Sequence, residues 1–306
     1  MRSLSAVECE RLSRWYGDVI ALNDLSASIG KGVTGLLGPN GSGKSTFMSL
    51  CVGLLRPSAG RIEVLGEDPW DNPGLLRRIG YVPEAPAPWR HLTGRDALVR
   101  GARLTGLDRN DAGRAATEGL RRVGLAEAGD KLVGAYSHGM QQRLKFALAT
   151  LHRPELLILD EPLLGTDPLA RRDLLHLIQD MADDGTSILL STHVLPDVEA
   201  LTERILLLHH GRLMAHGEVH EIRDLLDQHP RTVRVATADP RRLGAELWSW
   251  DEVLSVEADE DAVTVRTRNA AAFYARLQDH LIERPGFTSV TSPDDNVEAV
   301  FEYLVR

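Results

Sequence analysis

The segment Gly38-Pro-Asn-Gly-Ser-Gly-Lys-Ser-Thr46 decides how the rest of this sequence is interpreted. A short apolar run at 32–37 precedes it and a helical pattern at 45–55 follows it, so the segment is expected to join a strand to a helix. Its glycines would let backbone N–H groups wrap around an oligophosphate, and the helix would direct its positive N-terminal end at the same group. The segment therefore predicts a phosphate-binding loop; a glycine-rich turn with a surface lysine is the alternative.

The spacing from Gly38 to Gly43-Lys44-Ser45 fits the Walker A pattern in full. Lys44 is expected to reach the β- and γ-phosphates of a nucleotide, and the Ser45 hydroxyl is expected to hold Mg²⁺. The loop alone predicts a nucleotide-binding protein and does not separate a kinase from a GTPase or a transporter. The remaining loop residues expected to contact the nucleotide are Gly38, Asn40, Gly41, Ser42, Gly43 and Thr46.

A second acidic motif follows an apolar run, Leu156-Leu-Ile-Leu-Asp160-Glu161. The run is typical of a buried parallel strand, and ligands of α/β sheets bind at the carboxyl ends of such strands. Asp160 is therefore expected to orient Mg²⁺, and Glu161 to polarise the attacking water. An acidic turn after a core strand is the alternative.

The composition excludes several classes of protein. The 306 residues carry a formal net charge of −9, which argues against a nucleic-acid binder because such proteins need a basic surface. No run of about 18 uncharged apolar residues occurs, so no membrane-spanning helix and no direct membrane insertion are expected. The first ten residues lack an apolar signal core, and the two cysteines, Cys9 and Cys51, predict neither a disulfide framework nor a zinc site.

The pattern of the chain predicts two domains. Residues 1–227 carry the motifs above, with a helical part at about 87–150 and a helix start at Thr93. Residues 230–306 lack lysine, are rich in acidic residues, and read as strand, helix, strand, strand, helix, strand. This βαββαβ order predicts a small α+β accessory domain of ferredoxin-like type, followed by a last helix at 297–305.

Between the two phosphate motifs lies Tyr136-Ser-His-Gly-Met-Gln-Gln-Arg143, which resembles the ABC signature, usually LSGGQ followed by x-Q-R. Tyr136, His138 and Met140 depart from that pattern, whereas Ser137 and Gly139 keep it. Ser137 also fits a helix N-cap, where free N–H groups suit an anion. The resemblance implies that Ser137 and Gly139 contact the γ-phosphate bound by an opposite subunit, and hence a dimer.

Two more segments resemble loops of ABC ATPases. Tyr16, in Arg14-Trp-Tyr-Gly17, resembles the aromatic residue that stacks on adenine, with Trp15 the less favoured ring and a core aromatic the alternative. Glu84, in Ile79-Gly-Tyr-Val-Pro-Glu84, takes the place of the Q-loop glutamine and is expected to meet Mg²⁺ or its water; simple exposure to solvent is the alternative. The following residues, 85–91, would face the coupling helix of a membrane partner.

The order of motifs along the chain completes the resemblance. Asp167, in Gly165-Thr-Asp-Pro168, resembles the D-loop that crosses the dimer interface. His193, in Ser191-Thr-His193, resembles the switch histidine and is expected to hydrogen-bond the γ-phosphate. Val297-Glu-Ala-Val-Phe301 resembles a C-terminal element of ATPases that pair with separate export permeases.

The resemblance covers about residues 5–225 and implies the P-loop NTPase fold of ABC ATPases, with a mixed sheet core and a helical subdomain. It implies a transporter ATPase that hydrolyses ATP in a head-to-tail dimer, homomeric or heteromeric, and drives a membrane permease, with export favoured. Such a subunit would be cytoplasmic and would lie at the inner face of the cell membrane through its permease. The alternatives are a soluble ABC ATPase and a nucleotide-dependent regulatory module with low turnover; the sequence leaves the transported substrate open.

Overall fold

The computed structural model describes residues 5–192, 194–220, 222, 231–283 and 287–292. The chain divides into two compact units, Met1–His216 and Gly217–Arg306. The sequence places the end of the first domain later, at 227, in a stretch that lies outside the described residues, so these domain limits stay a prediction. His193 and the predicted last helix at 297–305 also lie outside them.

The first unit begins with three strands and continues with a mixture of strands and helices. Its strands are β1 (Val7–Tyr16), β2 (Val19–Ile29), β3 (Val33–Leu37), β4 (Ala59–Val64), β5 (Ile79–Val82), β6 (Leu156–Asp160), β7 (Ser187–Ser191), β8 (Arg204–His209) and β9 (Arg212–Glu218). Its helices are α1 (Lys44–Cys51), α2 (Pro73–Leu76), α3 (Gly94–Leu104), α4 (Arg109–Arg122), α5 (His138–Thr150), α6 (Pro168–Asp183) and α7 (Leu195–Glu199). Across the described ranges, no helix is both long and apolar enough to cross a membrane.

A six-stranded sheet forms the centre of this unit, in the order β5-β6-β7-β3-β8-β9. The pairs from β5 through β8 are parallel. Every residue of β3, β6 and β7 is buried, which explains why these strands are apolar runs rather than alternating ones. Parallel strands end at the same edge of a sheet, so the loops that follow β3, β5, β6 and β7 meet there.

A smaller antiparallel sheet, β2-β1-β4, packs beside α1. From the sequence alone we expect a first strand at about 5–11 and no strand at the position of β4, and the structure differs in both respects. Strand β1 continues to Tyr16 through a bulge: its register shifts between Cys9 and Leu12, and Arg11 has a φ of 50°. A bulge breaks the two-residue alternation on which strand prediction depends.

The chain between β5 and β6 is helical, as the sequence predicts. Its three helices each begin at a residue whose side chain accepts a hydrogen bond from the backbone N–H three residues later. These caps are Thr93 before α3, Asp108 before α4 and Ser137 before α5. Such caps satisfy N–H groups that the first helical turn leaves unpaired.

The second unit contains β10 (Arg231–Thr237), α8 (Pro240–Leu247), β11 (Val253–Ala258), β12 (Ala262–Thr267), α9 (Ala270–Glu283) and β13 (Phe287–Thr291). Its sheet has the order β11-β12-β10-β13, and every neighbouring pair is antiparallel. Valines of the two central strands pack against Trp250 and Phe273. The element order agrees with the predicted βαββαβ order, while the ferredoxin-like assignment stays a prediction.

Gly80 in β5 provides a test of how closely α5 packs on the central sheet. A Cβ there would meet the carbonyl oxygen of Ala149 in α5 and would lie 2.9 Å from Leu157 Cδ1. We expect Gly80→Ala to lower the free energy of unfolding by about 1–3 kcal/mol, because backbone cannot yield as a side chain does.

The matched control is Gly113→Ala in α4, where a Cβ would meet no atom within 4 Å. This variant should gain about 0.5–1 kcal/mol from the helix propensity of alanine. Urea unfolding of both proteins checks the pair, and a Gly80→Ala variant as stable as wild type would contradict the packing.

Candidate functional site

The loop between β3 and α1 has a backbone that glycine alone adopts without strain. Gly38, Gly41 and Gly43 have φ values of 147°, 80° and 107°. A Cβ at Gly38 would lie 2.5 Å from Ser42 Oγ, and one at Gly43 would lie 2.6 Å from the carbonyl oxygen of Ala21. A Cβ at Gly41 would meet open space. The positive φ values and the two close approaches explain why the sequence places glycine here.

Lys44 occupies this loop with its side chain buried. Its Nζ donates to the carbonyl oxygens of Gly38 at 2.7 Å and Pro39 at 3.2 Å. Burial lowers the pKa of the Lys44 ammonium, while the charges of Glu161, Asp160 and Glu84 act in the opposite direction. The Lys44 ammonium therefore lies in the electrostatic field of the three carboxylates that the sequence assigns to the site.

Other loop residues present polar groups that fit an anion. Ser42 Oγ is buried and makes no hydrogen bond with the described residues. Asn40 and Ser45 are exposed, and Thr46 is half-buried in the first turn of α1. A buried hydroxyl without a partner costs free energy, and a phosphate oxygen would satisfy it.

Asp160 ends β6, Glu161 follows it, and the two share one serine. Ser191, paired with Asp160 in the β6–β7 register, donates from Oγ to Asp160 Oδ1 at 2.6 Å and accepts from the Glu161 backbone N–H at 3.0 Å. All three residues are buried. We did not predict a role for Ser191 from the sequence. The feature that could have identified it is a polar residue at the end of an apolar parallel strand, next to the strand that carries Asp160.

Glu161 also has an unusual backbone conformation, with a φ of 47°. A residue other than glycine in this left-handed region carries strain of about 1–3 kcal/mol, and such strain concentrates at functional sites. The Ser191 hydrogen bond stabilises this turn.

Glu84 and Tyr16 both have exposed side chains. Glu84 lies just after β5, and its negative charge acts to raise the pKa of Lys44. Tyr16 ends β1 and is 45% exposed, while the neighbouring Trp15 is 46% exposed, so exposure does not separate the two candidate stacking rings. The Arg14 guanidinium lies 4.9 Å from the centroid of the Tyr16 ring. The adenine role of Tyr16 stays a prediction.

The start of α5 packs against the start of α6. Ser137 Oγ accepts a hydrogen bond from the Met140 N–H at 3.3 Å, which confirms the predicted N-cap. Gly139 is buried, and a Cβ there would lie 3.1 Å from Ala170 Cβ and 3.6 Å from Asp167 Oδ2. Asp167 itself caps α6, because its Oδ1 accepts from the Leu169 and Ala170 N–H groups.

The three departures from the ABC signature each have a structural partner. Tyr136 is buried and its hydroxyl donates to the Ala128 carbonyl at 2.8 Å; burial raises the pKa of this phenol. His138 Nε2 lies 2.8 Å from the Leu164 carbonyl oxygen and 3.3 Å from Gln142 Nε2. Met140 packs against the apolar core. These residues connect the helix tip to its own chain and leave Ser137 exposed.

The contacts thus group the predicted residues in two sets. Lys44 lies in the field of Asp160, Glu161 and Glu84 at the carboxyl edge of the sheet. Ser137 and Gly139 lie beside Asp167 at the junction of α5 and α6. His193 cannot be assigned to either set because it lies outside the described residues.

Comparisons with known proteins agree with this fold and motif set. The family model described as "ABC transporter" matches residues 22–164. The chain is 34% identical to the daunorubicin/doxorubicin resistance ATP-binding protein DrrA of Streptomyces peucetius over 265 residues, covering 86% of this chain and 80% of that protein. It is 38% identical to the bacitracin transport ATP-binding protein BcrA of Bacillus licheniformis over 206 residues, 66% of each chain.

A solved structure described as the ATP-binding subunit of an ABC transporter superposes with a TM-score of 0.67 at 32% identity, covering 72% of this chain and 93% of that one. The agreement therefore extends beyond the motifs to the fold of about 72% of this chain. The chain belongs to the ABC transporter family, as an ATP-binding subunit that hydrolyses ATP to power transport.

Proposed function

We propose that the site hydrolysing ATP is shared between two chains arranged head to tail. The observation that carries this proposal is the grouping of the motif residues in two sets. One set holds a buried Lys44 beside acidic strand ends; the other presents an exposed Ser137 at the tip of a capped helix. A helix tip with free N–H groups attracts an anion. A second copy, or a near-copy, would bring its tip over the loop of the first.

The oxygen donors around Lys44 suit Mg²⁺, which prefers carboxylate and hydroxyl oxygens. Asp160, Glu84 and Ser45 are the residues that would hold the ion, and the field of Asp160 and Glu84 at Lys44 supports a shared location. When bound, Mg²⁺ would supply neutralisation of phosphate charge and orientation of the phosphate chain.

The protein's own residues would bind and orient the substrate. The nucleotide phosphates would lie along the loop that contains Gly38, Asn40, Gly41, Ser42, Gly43, Lys44, Ser45 and Thr46, with the adenine ring on Tyr16. Lys44 would exchange its carbonyl partners for β- and γ-phosphate oxygens. Glu161 would orient the attacking water, and His193 would hydrogen-bond the γ-phosphate. Positioned charge of this kind is the main requirement of phosphoryl transfer.

Ser191 would act as a positioning residue in this scheme. Its hydroxyl joins the Asp160 carboxylate to the Glu161 backbone, so the two acidic groups keep a fixed relation to each other. Asp167 would combine its capping role with a contact across the dimer interface. Both functions depend on side chains already held by hydrogen bonds within one chain.

The transport role proposed here is export through a separate membrane permease. The names of two relatives, a bacitracin transport protein and a daunorubicin/doxorubicin resistance protein, support this direction. A third, the Nod factor export ATP-binding protein I of Rhizobium sp. (strain N33), is 31% identical over 92% of this chain and 93% of its own length. Residues 85–91 would contact the permease, which would hold the subunit at the inner face of the cell membrane.

The roles of Glu161 and Lys44 can be separated by substitution. We expect Glu161→Gln to keep ATP affinity and to lower kcat by about 10²–10⁴-fold, because the amide cannot take the proton of the attacking water. Lys44→Ala should instead weaken ATP binding by about 2 kcal/mol or more, because it removes a buried charge from the phosphates. Fluorescent-nucleotide titration measures the ATP affinity, and steady-state phosphate release measures kcat. An undiminished kcat in Glu161→Gln would show that Glu161 does not orient the attacking water.

The shared site can be tested by mixing two inactive variants. Lys44→Ala damages the loop and Ser137→Arg blocks the helix tip. In a head-to-tail mixed dimer, one site has both damaged parts and the other has neither. At equal concentrations, about a quarter of the wild-type ATPase rate should return, since half of randomly formed dimers are mixed and each has one intact site of two.

The control for this experiment is each variant alone at the total protein concentration of the mixture. A mixture whose rate equals the mean of the two separate rates would contradict a site shared between copies of this chain.

A further inference from the structure

A buried lysine in α5 has no part in the scheme above. Lys145 is 5% exposed. Its Nζ donates to the carbonyl oxygens of Pro83 at 2.7 Å and Ala85 at 2.9 Å. A buried ammonium is costly unless hydrogen bonds replace its water, and these two carbonyls satisfy two of its three donors.

The two carbonyls belong to the residues on either side of Glu84. Lys145 therefore holds the backbone of this loop at two points and connects it to the helix that begins after Ser137. With both flanking peptide groups fixed, the position from which the Glu84 side chain extends is fixed as well. The exposed Glu84 carboxylate can still change rotamer, but the backbone position of Glu84 is fixed.

The charge of Lys145 also acts on the site. Burial lowers the pKa of Lys145 to about 8, and the charges of Glu84 and Asp160 oppose that shift. The ammonium is thus in the field of two of the proposed Mg²⁺ ligands. Glu84 adds a negative charge where related ATPases often have a neutral glutamine, and Lys145 adds a positive charge to the same region.

We propose that Lys145 is a positioning residue for Glu84, which it holds at the metal-binding edge of the sheet through the peptide groups on both sides. This inference rests on the proposed role of Glu84 as a Mg²⁺ ligand. The cation ties the loop after β5 to α5, so that Glu84 and the helix tip at Ser137 belong to one connected element.

A double-mutant cycle tests the proposal on the full chain. The variants are Lys145→Met, Glu84→Ala and their combination, with Lys131→Met as the control that removes an exposed lysine from the same helical region. For each, kcat and the Mg²⁺ concentration that gives half-maximal ATPase rate are measured at saturating ATP. Thermal unfolding of each protein is followed in parallel.

Lys145→Met should lower kcat by about tenfold or more, because a displaced ligand costs rate without removing the nucleotide loop. In the Glu84→Ala background, the same substitution should lower kcat by less than about twofold, since the positioned group is already gone. Lys131→Met should leave both measurements unchanged. Lys145→Arg, which keeps the charge and donors, should recover part of the rate.

An equal loss of kcat in both backgrounds would overturn the proposal, because it would show that Lys145 serves the fold alone. Should Lys145→Met not purify folded, Lys145→Gln replaces it in the cycle, as it keeps N–H donors and removes the charge. Wild-type kcat and Mg²⁺ dependence in Glu84→Ala would overturn both the Glu84 role and this inference. If Glu84→Ala lowers kcat but the effects of Glu84→Ala and Lys145→Met are additive, the inference about Lys145 is overturned and the role of Glu84 stands.

Discussion

The direction of the strands in the central sheet is the constraint on which the site depends. Because β3, β5, β6 and β7 run parallel, the loops that follow them reach the same edge. That edge gathers Lys44 from the start of α1, Glu84 from the loop after β5, and Asp160 with Glu161 from the end of β6. The arrangement sets a buried cation among carboxylates, which is the charge pattern that a magnesium-bound oligophosphate requires.

Helix α5 is the second element on which the site relies, because its side chains hold the surrounding loops. Ser137 caps its start, and the His138 ring contacts the carbonyl oxygen of Leu164 in the segment between Glu161 and Asp167. Two turns later Lys145 holds the backbone around Glu84. A displacement of this helix would therefore also displace the loops that follow β5 and β6. Packed contacts of this kind couple distant sites energetically when one of the packed elements has two discrete arrangements.

The sequence predicted the elements whose residues meet strict local requirements. The glycine loop needs positive φ values at three positions, the parallel strands need apolar residues on both faces, and the helix caps need a short polar side chain. These requirements produce recognisable patterns: the sequence indicates a helix at 168–183 and a strand at 187–191, and α6 and β7 have these bounds. The resemblance to ABC ATPases then identified the motif residues in their order along the chain.

What the sequence did not show depends on register and on contacts between distant residues. The continuation of β1 past its bulge is hidden because a bulge breaks the alternation of buried and exposed residues. Ser191 becomes recognisable only when β6 and β7 are paired with Asp160 opposite it. Lys145 looks like one more helix residue until its partners, about 60 positions earlier, are known.

A crystal structure of the Glu161→Gln protein with Mg²⁺ and ATP tests the central claim most directly. The account predicts a triphosphate along the loop of one chain, with Ser137 of the partner subunit at hydrogen-bond distance, about 3 Å, from a γ-phosphate oxygen. A nucleotide bound in the loop with no second chain at its γ-phosphate would contradict the shared site.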